Sequence, residues 1–276
     1  RSENYGRKFL GSLTLTEALA RSVNNAAVHV LEEIGIQSAI DMAHRLGIRS
    51  QLEPGLALAL GASSVSLLEL TRAYAVLRVR DREGKLLLED LALDEAAGKS
   101  VGLAAGPEAA SGLPEGFALS PAEAFVATSL LRGPIEHPAG AAHAAVALGR
   151  PLAGKTGTTN DHTDAWFVGY SPQIATGVWV GFDQNRLLGK GETGGRAALP
   201  IWLDFMRPAL ADLPARDFEA PPGVVFARID AKTGLLASPA SESTLLQAFL
   251  EGSVPAEAAD TLATGSEGRR EIELGF

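Results

Sequence analysis

Three runs of residues with strong strand propensity follow one another in the second half of the chain, with only short connections between them. They span residues 151–159, 165–170 and 174–182. The connection between the last two is Ser171-Pro172-Gln173, which has the length of a hairpin turn. Consecutive strands joined this closely must be antiparallel, because a parallel pair needs a crossover of about a dozen residues or more. The sequence therefore predicts an antiparallel sheet here.

Helical patterns lie on both sides of these strands. Capping-box or N-cap sequences begin predicted helices at Thr14, Ser66 and Ser120. The first helix is predicted to continue to Gly35, and further helices cover residues 36–46 and 197–210. A last strand pair is predicted to join residues 224–229 to residues 235–236. We therefore predict an α/β fold of the α+β type, with an antiparallel sheet packed with helices plus a helical subdomain.

The length of 276 residues predicts one large domain or two small ones. We expect a single domain with four parts along the chain. Residues 1–80 form a mostly helical part, residues 81–118 a variable surface excursion, residues 119–236 the sheet-rich part, and residues 237–276 a C-terminal extension. The chain also begins without Met, which indicates that it starts inside a longer protein.

Composition excludes several classes of protein. The chain has 33 acidic and 24 basic residues and a formal net charge of -9, so a broad basic face for nucleic acid is not expected. The absence of cysteine excludes disulfide scaffolds, cysteine-based metal sites and a cysteine nucleophile. The five histidines show no metal-binding spacing, and no glycine-rich phosphate loop opens a helix, so we expect no metal and no cofactor. No apolar stretch is long enough to cross a membrane.

One lysine lies in a pattern that suits an anionic ligand. Lys155 opens a Lys-Thr-Gly-Thr run on the first predicted strand, and on a regular strand it shares a face with Gly157 while Thr156 and Thr158 share the other. An edge strand of this kind offers a cation, hydroxyl donors and free backbone N–H groups, and Gly157 lets a ligand approach the backbone closely. This suits a carboxylate together with a developing oxyanion. The alternative interpretation is that the Lys-Thr-Gly run lies in a solvated turn and binds no ligand.

A second Lys-Thr-Gly copy shows that the tripeptide alone is weak evidence. It comprises Lys232, Thr233 and Gly234, and we interpret it as an ordinary turn. The first copy differs because it has strand-type flanks, a Thr-Thr-Asn-Asp extension and a following aromatic hairpin.

A second group of polar residues interrupts the first predicted helix. Ser22 and Asn24, with Asn25 behind them, have poor helix propensity within an apolar helical stretch. They either break the helix or serve a purpose there.

Other chemistry-bearing residues receive structural interpretations. His162 is close enough to the Lys-Thr-Gly run to touch a ligand, although we interpret it as a solvated loop residue. Asp161 and Asp164 are predicted to cap the hairpin. The three tryptophans, Trp166, Trp179 and Trp202, are predicted to lie in the core.

Ser-x-x-Lys, a Ser-x-Asn-type motif and Lys-Thr-Gly form the motif set of β-lactamases and penicillin-binding proteins. The chain carries the last two in the right order, and it resembles class A penicillin-binding proteins over most of its length. The resemblance is carried by residues 15–22, 65–75, 152–161, 164–170, 177–182 and 191–198.

The resemblance implies roles for the motif residues. Lys155, with the hydroxyls of Thr156 and Thr158, would hold the terminal carboxylate of a D-Ala-D-Ala stem peptide or of penicillin, and the Thr158 N–H would form half of an oxyanion hole. Ser22 would pass a proton to the departing D-Ala amine, and Asn24 would bind the substrate's peptide amide. These are acid and electrostatic roles around an acyl-serine intermediate.

The sequence departs from the family in one respect: no serine is followed by lysine three residues later, so the nucleophile motif is absent. The resemblance implies that the nucleophile lies upstream, in a missing transpeptidase segment preceded by a glycosyltransferase domain and a membrane anchor. The chain is therefore expected to be the distal part of a serine-type DD-transpeptidase domain, inactive in isolation.

The implied location is the extracytoplasmic face of the bacterial inner membrane, in the periplasm. The implied partners are peptidoglycan stem peptides and β-lactams. Two alternatives stay open: a DD-carboxypeptidase or β-lactamase on the same scaffold, and a non-catalytic domain that binds peptidoglycan or a protein partner.

Overall fold

The computed structural model describes residues 11, 13–77, 118–159, 161–184 and 186–259. Six α-helices lie in this part of the chain: Leu15–Ala20 (α1), Asn24–Ile34 (α2), Ile36–Arg45 (α3), Leu67–Val76 (α4), Pro121–Glu136 (α5) and Leu199–Ala209 (α6). Five strands lie there too: Ala153–Thr158 (β1), Asp164–Tyr170 (β2), Ala175–Gly181 (β3), Val224–Asp230 (β4) and Thr244–Leu250 (β5). Short 3-10 turns cover Leu56–Leu60 and His143–Leu148, and a π-helical turn, Gly194–Ala198, leads into α6.

The predicted helix starts are confirmed by their caps. The hydroxyl of Thr14 accepts a hydrogen bond from the Glu17 N–H at the start of α1. Ser66 and Ser120 each form a complete capping box at the starts of α4 and α5. Each cap satisfies N–H groups that the first helical turn leaves without an intrahelical partner, so the helix starts are fixed locally.

The prediction of one helix from Thr14 to Gly35 is wrong. The structure has two helices, α1 and α2, with residues 21–23 between them. The apolar spacing continues across the break, and for this reason periodicity alone could not reveal it.

The three predicted strands form one antiparallel sheet in the order β1-β2-β3, as expected. Helix α6 covers one face, where Trp202 packs edge-on against Phe167 of β2. Helices α4 and α5 lie on the other face, where Tyr170 packs with Phe125 in a second buried cluster. The antiparallel sheet packed between helices confirms the predicted fold class. One edge of the sheet, strand β1, carries the predicted anion site.

The second strand pair differs from the prediction. Strand β4 pairs along its whole length with β5, whereas Leu236 makes only a single bridge with Ile229. The predicted pairing with residues 235–236 is thus limited to this bridge and its two flanking hydrogen bonds, from the Asp230 N–H to Leu235 and from the Ala237 N–H to Arg228, and the main partner, β5, was not predicted. Strand β5 falls within residues 237–276, so that segment contributes a strand packed on α5. The predicted excursion at 81–118 lies, except for residue 118, outside the described residues, and the four-part division stays a prediction.

The prediction that all three tryptophans lie in the core is confirmed for only one of them. Trp202 is fully buried, but Trp166 is only half-buried and Trp179 is 36% exposed. The last two lie side by side on adjacent strands with ring centroids 6.1 Å apart. Within the described residues, no helix is long and apolar enough to cross a membrane.

Candidate active site

Strand β1 presents its backbone at an edge of the three-stranded sheet. The Thr159 N–H donates to the Asp164 carbonyl, and the register pairs Gly157 with Trp166. Hydrogen-bonded and non-hydrogen-bonded pairs alternate in an antiparallel ladder, so Lys155 and Gly157 direct their backbone groups toward β2. The N–H groups of Thr156 and Thr158 therefore point away from β2, toward the edge.

The side chain of Lys155 is directed at Ser22. Its ammonium Nζ donates to Ser22 Oγ at 2.7 Å and to the Thr156 carbonyl oxygen at 3.0 Å. Burial lowers the pKa of the Lys155 ammonium from 10.5 to about 8, because the charged form loses hydration. Although the strand is an edge, the Lys155 side chain is half-buried, and Ser22 in the connection between α1 and α2 lies against its ammonium.

Ser22 occupies a strained backbone position at the end of α1. Its φ of +56° lies in the left-handed region. The Ser22 N–H donates to Leu19 and the Val23 N–H donates to Ala18, which is the Schellman arrangement that ends helices. Glycine is the usual residue at the left-handed position, and a side chain there costs about 1–2 kcal/mol. In this place the serine holds its hydroxyl against the half-buried ammonium of Lys155.

Asn24 is the first residue of α2, two positions after Ser22, and its side chain is half-buried. Ser22 thus lies within the connection between α1 and α2, and Asn24 begins the second helix. These residues do break the helix, as one interpretation expected. The other interpretation, a role for their side chains, is compatible with the break, because Ser22 in the break contacts Lys155.

The hydroxyl-bearing residues of the Lys-Thr-Gly-Thr run lie on the opposite face from Lys155. Thr158 Oγ1 accepts a hydrogen bond from the Gly194 N–H at 3.0 Å. On the Lys155 face, a Cβ on Gly157 would lie 3.1 Å from the Trp166 Cβ, so a larger residue would crowd that face. A single anion can therefore meet Lys155 and the threonine hydroxyls only at the edge of the strand, where the two faces join.

The second Lys-Thr-Gly copy is a turn, as predicted. Asp230 Oδ1 accepts hydrogen bonds from the N–H groups of Lys232 and Thr233 and from the Thr233 hydroxyl. The backbone hydrogen bond from Thr233 is the largest cause of a lowered pKa at the Asp230 carboxyl. Lys232 itself is exposed. The same tripeptide thus has a solvated lysine in one place and a half-buried one in the other.

The turn between β1 and β2 is capped by a threonine as well as by a predicted aspartate. Thr159 Oγ1 accepts from the N–H groups of Thr163 and Asp164. The Asp164 carboxylate accepts from the Thr163 hydroxyl within the turn and from the Trp179 indole N–H, each at 2.9 Å. Within the described residues, no group of three or more histidine, aspartate or glutamate side chains could hold a metal ion.

The sequence predicted His162 to be a solvated loop residue, with no contact inside the protein. In the structure its Nδ1 lies 3.1 Å from the Glu192 carbonyl oxygen, and it is one of two non-glycine residues with positive φ among the described residues. The available signal was its position in a short turn directly after the Lys-Thr-Gly-Thr run.

Comparison with known proteins identifies the family of the chain. The family model of the penicillin binding protein transpeptidase domain matches residues 2–207. The chain belongs to this family, and the predicted resemblance is confirmed.

Individual relatives are penicillin-binding proteins 1A. The chain is 38% identical to that of Aquifex aeolicus over 266 residues and 36% identical to that of Pseudomonas aeruginosa over 299 residues, with 92% of this chain covered in each case. It spans 33% and 36% of these two relatives.

Solved structures share the fold. The crystal structure of penicillin-binding protein 1A from Haemophilus influenzae superposes with a TM-score of 0.73 at 29% identity, covering 93% of this chain and 42% of that one. The D,D-transpeptidase domain of a peptidoglycan glycosyltransferase from Eggerthella lenta superposes with a TM-score of 0.51 at 19% identity, covering 77% of this chain and 57% of that one, which supports the fold alone.

Proposed function

We propose that this chain carries the substrate-binding part of a serine-type DD-transpeptidase that cross-links peptidoglycan stem peptides and binds penicillin. The observation that carries the proposal is the 2.7 Å contact between the Lys155 ammonium and the Ser22 hydroxyl. It joins the two motifs expected to work together in this family. The edge of β1 beside this contact is where an extended peptide can lie.

The substrate's terminal carboxylate is held by Lys155 and the hydroxyls of Thr156 and Thr158. A charge-assisted hydrogen bond from an ammonium is about twice as strong as a neutral one. The Thr158 N–H, which points toward the edge, donates to the oxygen of the carbonyl under attack. A backbone donor aimed at developing charge costs no reorganisation at the moment of reaction.

The nucleophile is supplied by a Ser-x-x-Lys segment outside these 276 residues. Its hydroxyl oxygen bonds to the penultimate D-Ala carbonyl carbon while its proton passes to a base of the same segment, and the bond from that carbon to the terminal D-Ala nitrogen breaks. Ser22, whose oxygen accepts a hydrogen bond from Lys155, passes a proton to the departing amine. Asn24 holds the substrate's peptide amide. An acceptor amine then displaces the serine from the acyl group, which forms the cross-link.

The same geometry serves hydrolysis if water replaces the acceptor amine, as in a DD-carboxypeptidase or a β-lactamase. We place the protein at the outer face of the bacterial inner membrane, with a membrane anchor and a glycosyltransferase domain outside this chain. Stem peptides and β-lactams are its partners.

Intact mass spectrometry tests the proposal. This chain, and the full-length protein that combines it with a Ser-x-x-Lys segment, are each incubated with benzylpenicillin and then mapped by peptide digestion. We expect one acyl adduct on the full-length protein, at the Ser-x-x-Lys serine, and none on this chain. A folded full-length protein without an adduct would instead indicate a non-catalytic binding domain. An adduct at Ser22 would make Ser22 the nucleophile.

Acceptor choice separates the remaining alternatives. The acyl-enzyme formed with a thioester analogue of the stem peptide is offered water alone or water with an amino acid amine. Faster release by the amine, with a new amide product, supports transpeptidation. Release by water at the same rate with or without the amine supports hydrolysis.

A further inference from the structure

The segment between β3 and α6 is held by three hydrogen bonds, two to His162 of the β1–β2 turn and one to Thr158 at the end of β1. We call residues 186–194 of this segment the strap. The Leu188 N–H donates to the His162 carbonyl at 2.9 Å, and His162 Nδ1 lies 3.1 Å from the Glu192 carbonyl oxygen. The Gly194 N–H donates to Thr158 Oγ1 at 3.0 Å. The strap thus ends on a residue of the proposed carboxylate site.

His162 forms two of the three hydrogen bonds, and it does so in a strained backbone conformation. Its φ of +51° lies in the left-handed region, where a non-glycine residue is strained. A carbonyl oxygen accepts but cannot donate, so Nδ1 of His162 must carry a hydrogen in the contact with Glu192. The imidazole is therefore a donor that fixes the strap, and its half-buried position fits that role.

Gly194 approaches the sheet more closely than any other residue type could. A Cβ at this position would lie 2.3 Å from the Trp166 carbonyl oxygen and 2.6 Å from that of Gly157. This close approach brings the Gly194 N–H within hydrogen-bond distance of Thr158 Oγ1. Because the N–H occupies a lone pair of the Thr158 oxygen, the hydroxyl hydrogen stays available for an acceptor outside the protein.

We propose that His162 and Gly194 are positioning residues that orient the Thr158 hydroxyl as a donor to the substrate carboxylate. His162 fixes the strap, and Gly194 at the end of the strap fixes the hydroxyl. The inference rests on the proposed function, since it assigns a supporting structure to the same site. It gives the imidazole no acid or base role.

Substitutions at His162 test the proposal in the full-length protein. Asparagine tolerates the left-handed region and can place a side-chain N–H near the position of Nδ1, glycine tolerates the conformation only, and alanine retains neither property. We expect acylation by benzylpenicillin to slow about tenfold in His162→Ala, the effect of losing roughly one hydrogen bond, and less in His162→Gly. We expect His162→Asn to stay near the wild-type rate.

A matched control and a second ligand separate positioning from general destabilisation. His44 also contacts a carbonyl oxygen through Nδ1, that of Ile48 at 2.8 Å, far along the chain from Thr158. His44→Ala is expected to leave acylation unchanged. Benzylpenicillin methyl ester lacks the carboxylate, so the difference between wild type and His162→Ala should shrink to less than about twofold with the ester.

Two results would overturn the inference. If His162→Asn is as slow as His162→Ala, the imidazole itself is required. If the methyl ester shows the same tenfold loss, the strap does not act through the carboxylate. The proposed function is tested separately by Lys155→Ala. If that variant loses acylation while His162→Ala reacts at the wild-type rate, the positioning role of His162 is rejected and the proposed function stands.

Discussion

The ammonium of Lys155 lies 2.7 Å from the hydroxyl oxygen of Ser22, although 133 residues separate them in the chain. The contact forms because a strained turn ends α1 just where β1 presents its edge. The ammonium donates into the hydroxyl oxygen, so the hydroxyl hydrogen of Ser22 is directed toward another acceptor. Burial lowers the pKa of Lys155 to about 8, so the ammonium stays mostly charged at neutral pH.

The lowered pKa of Lys155 predicts a pH dependence of ligand binding. The lysine is cationic below pH of about 8 and neutral above it. A carboxylate binds the cation, so the affinity of acetyl-D-Ala-D-Ala for the site should fall about tenfold for each pH unit above that value. NMR titrations of this chain between about pH 6.5 and 9.5 measure the effect.

Arginine provides the control for that titration, because its guanidinium stays charged throughout this range. Lys155→Arg should bind with an affinity that does not change with pH, even if the affinity itself is lower. A wild-type affinity that is flat across the range would show that the Lys155 charge does not hold the carboxylate.

The left-handed conformation of Ser22 predicts that its alanine and glycine variants differ in stability but not in activity. Both Ser22→Ala and Ser22→Gly remove the hydroxyl, so both should slow acylation of the full-length protein to the same extent. Glycine relieves the backbone strain and alanine does not, so the glycine variant should be more stable than the alanine variant by about 1 kcal/mol. Urea unfolding measures the stability difference. Equal stability of the two variants would show that Ser22 carries no strain.

Local sequence rules predicted much of the fold. The caps at Ser66 and Ser120 and the short connections between β1, β2 and β3 are encoded within a few residues, and the structure confirms them. The partner of β4 was missed because β5 begins 14 residues after β4 ends, and no local signal sets such a pairing.

The site was predicted less completely, for a related reason. The motifs identified Lys155 and Ser22 as residues of interest, and the resemblance supplied their roles. Sequence could not reveal the burial of Lys155, because its ammonium lies against Ser22, in the distant connection between α1 and α2. It could not reveal the contact of His162 with Glu192 either, because a left-handed histidine has no periodic signature.

The strand pair β4–β5 is predicted to stabilise the domain although the family match ends at residue 207. Buried Gln247 of β5 accepts a hydrogen bond from the Thr16 hydroxyl of α1 at 2.7 Å. Thr16→Val leaves the buried amide oxygen without this donor and should cost about 1–2 kcal/mol in unfolding free energy.

A double-mutant cycle with Gln247→Met checks this coupling. Replacing both partners by apolar groups removes the unpaired oxygen, so the double variant should lose less stability than the two single variants added together. Additive losses in urea unfolding would show that Thr16 and Gln247 stabilise the protein independently.

The lowered pKa of Glu69 predicts that the free energy of unfolding decreases in acid. Hydrogen bonds led by that from the Ser50 hydroxyl, at 2.6 Å, lower the pKa of its carboxyl from 4.5 to about 2. A lowered pKa in the folded state contributes stability above pH of about 4.5, and this contribution is lost as the pH falls toward 2. Glu69→Gln should therefore be less stable at pH 7 and lose less stability on acidification.

The exposed Glu251 supplies a surface control for this experiment. Unfolding of wild type, Glu69→Gln and Glu251→Gln is followed between about pH 2 and 7. Parallel stability curves for wild type and Glu69→Gln would contradict the assignment.

The two copies of Lys-Thr-Gly offer the most direct test of the central claim, that Lys155 on the edge of β1 forms the carboxylate site. Lys155→Ala and Lys232→Ala are made in the full-length protein, and the rate of acylation by benzylpenicillin is measured by intact mass. Removing a preorganised donor from a site of this kind costs about a hundredfold in rate, so Lys155→Ala should be slower by about that factor. Lys232→Ala should react at the wild-type rate. Equal rates for the two variants would contradict the account.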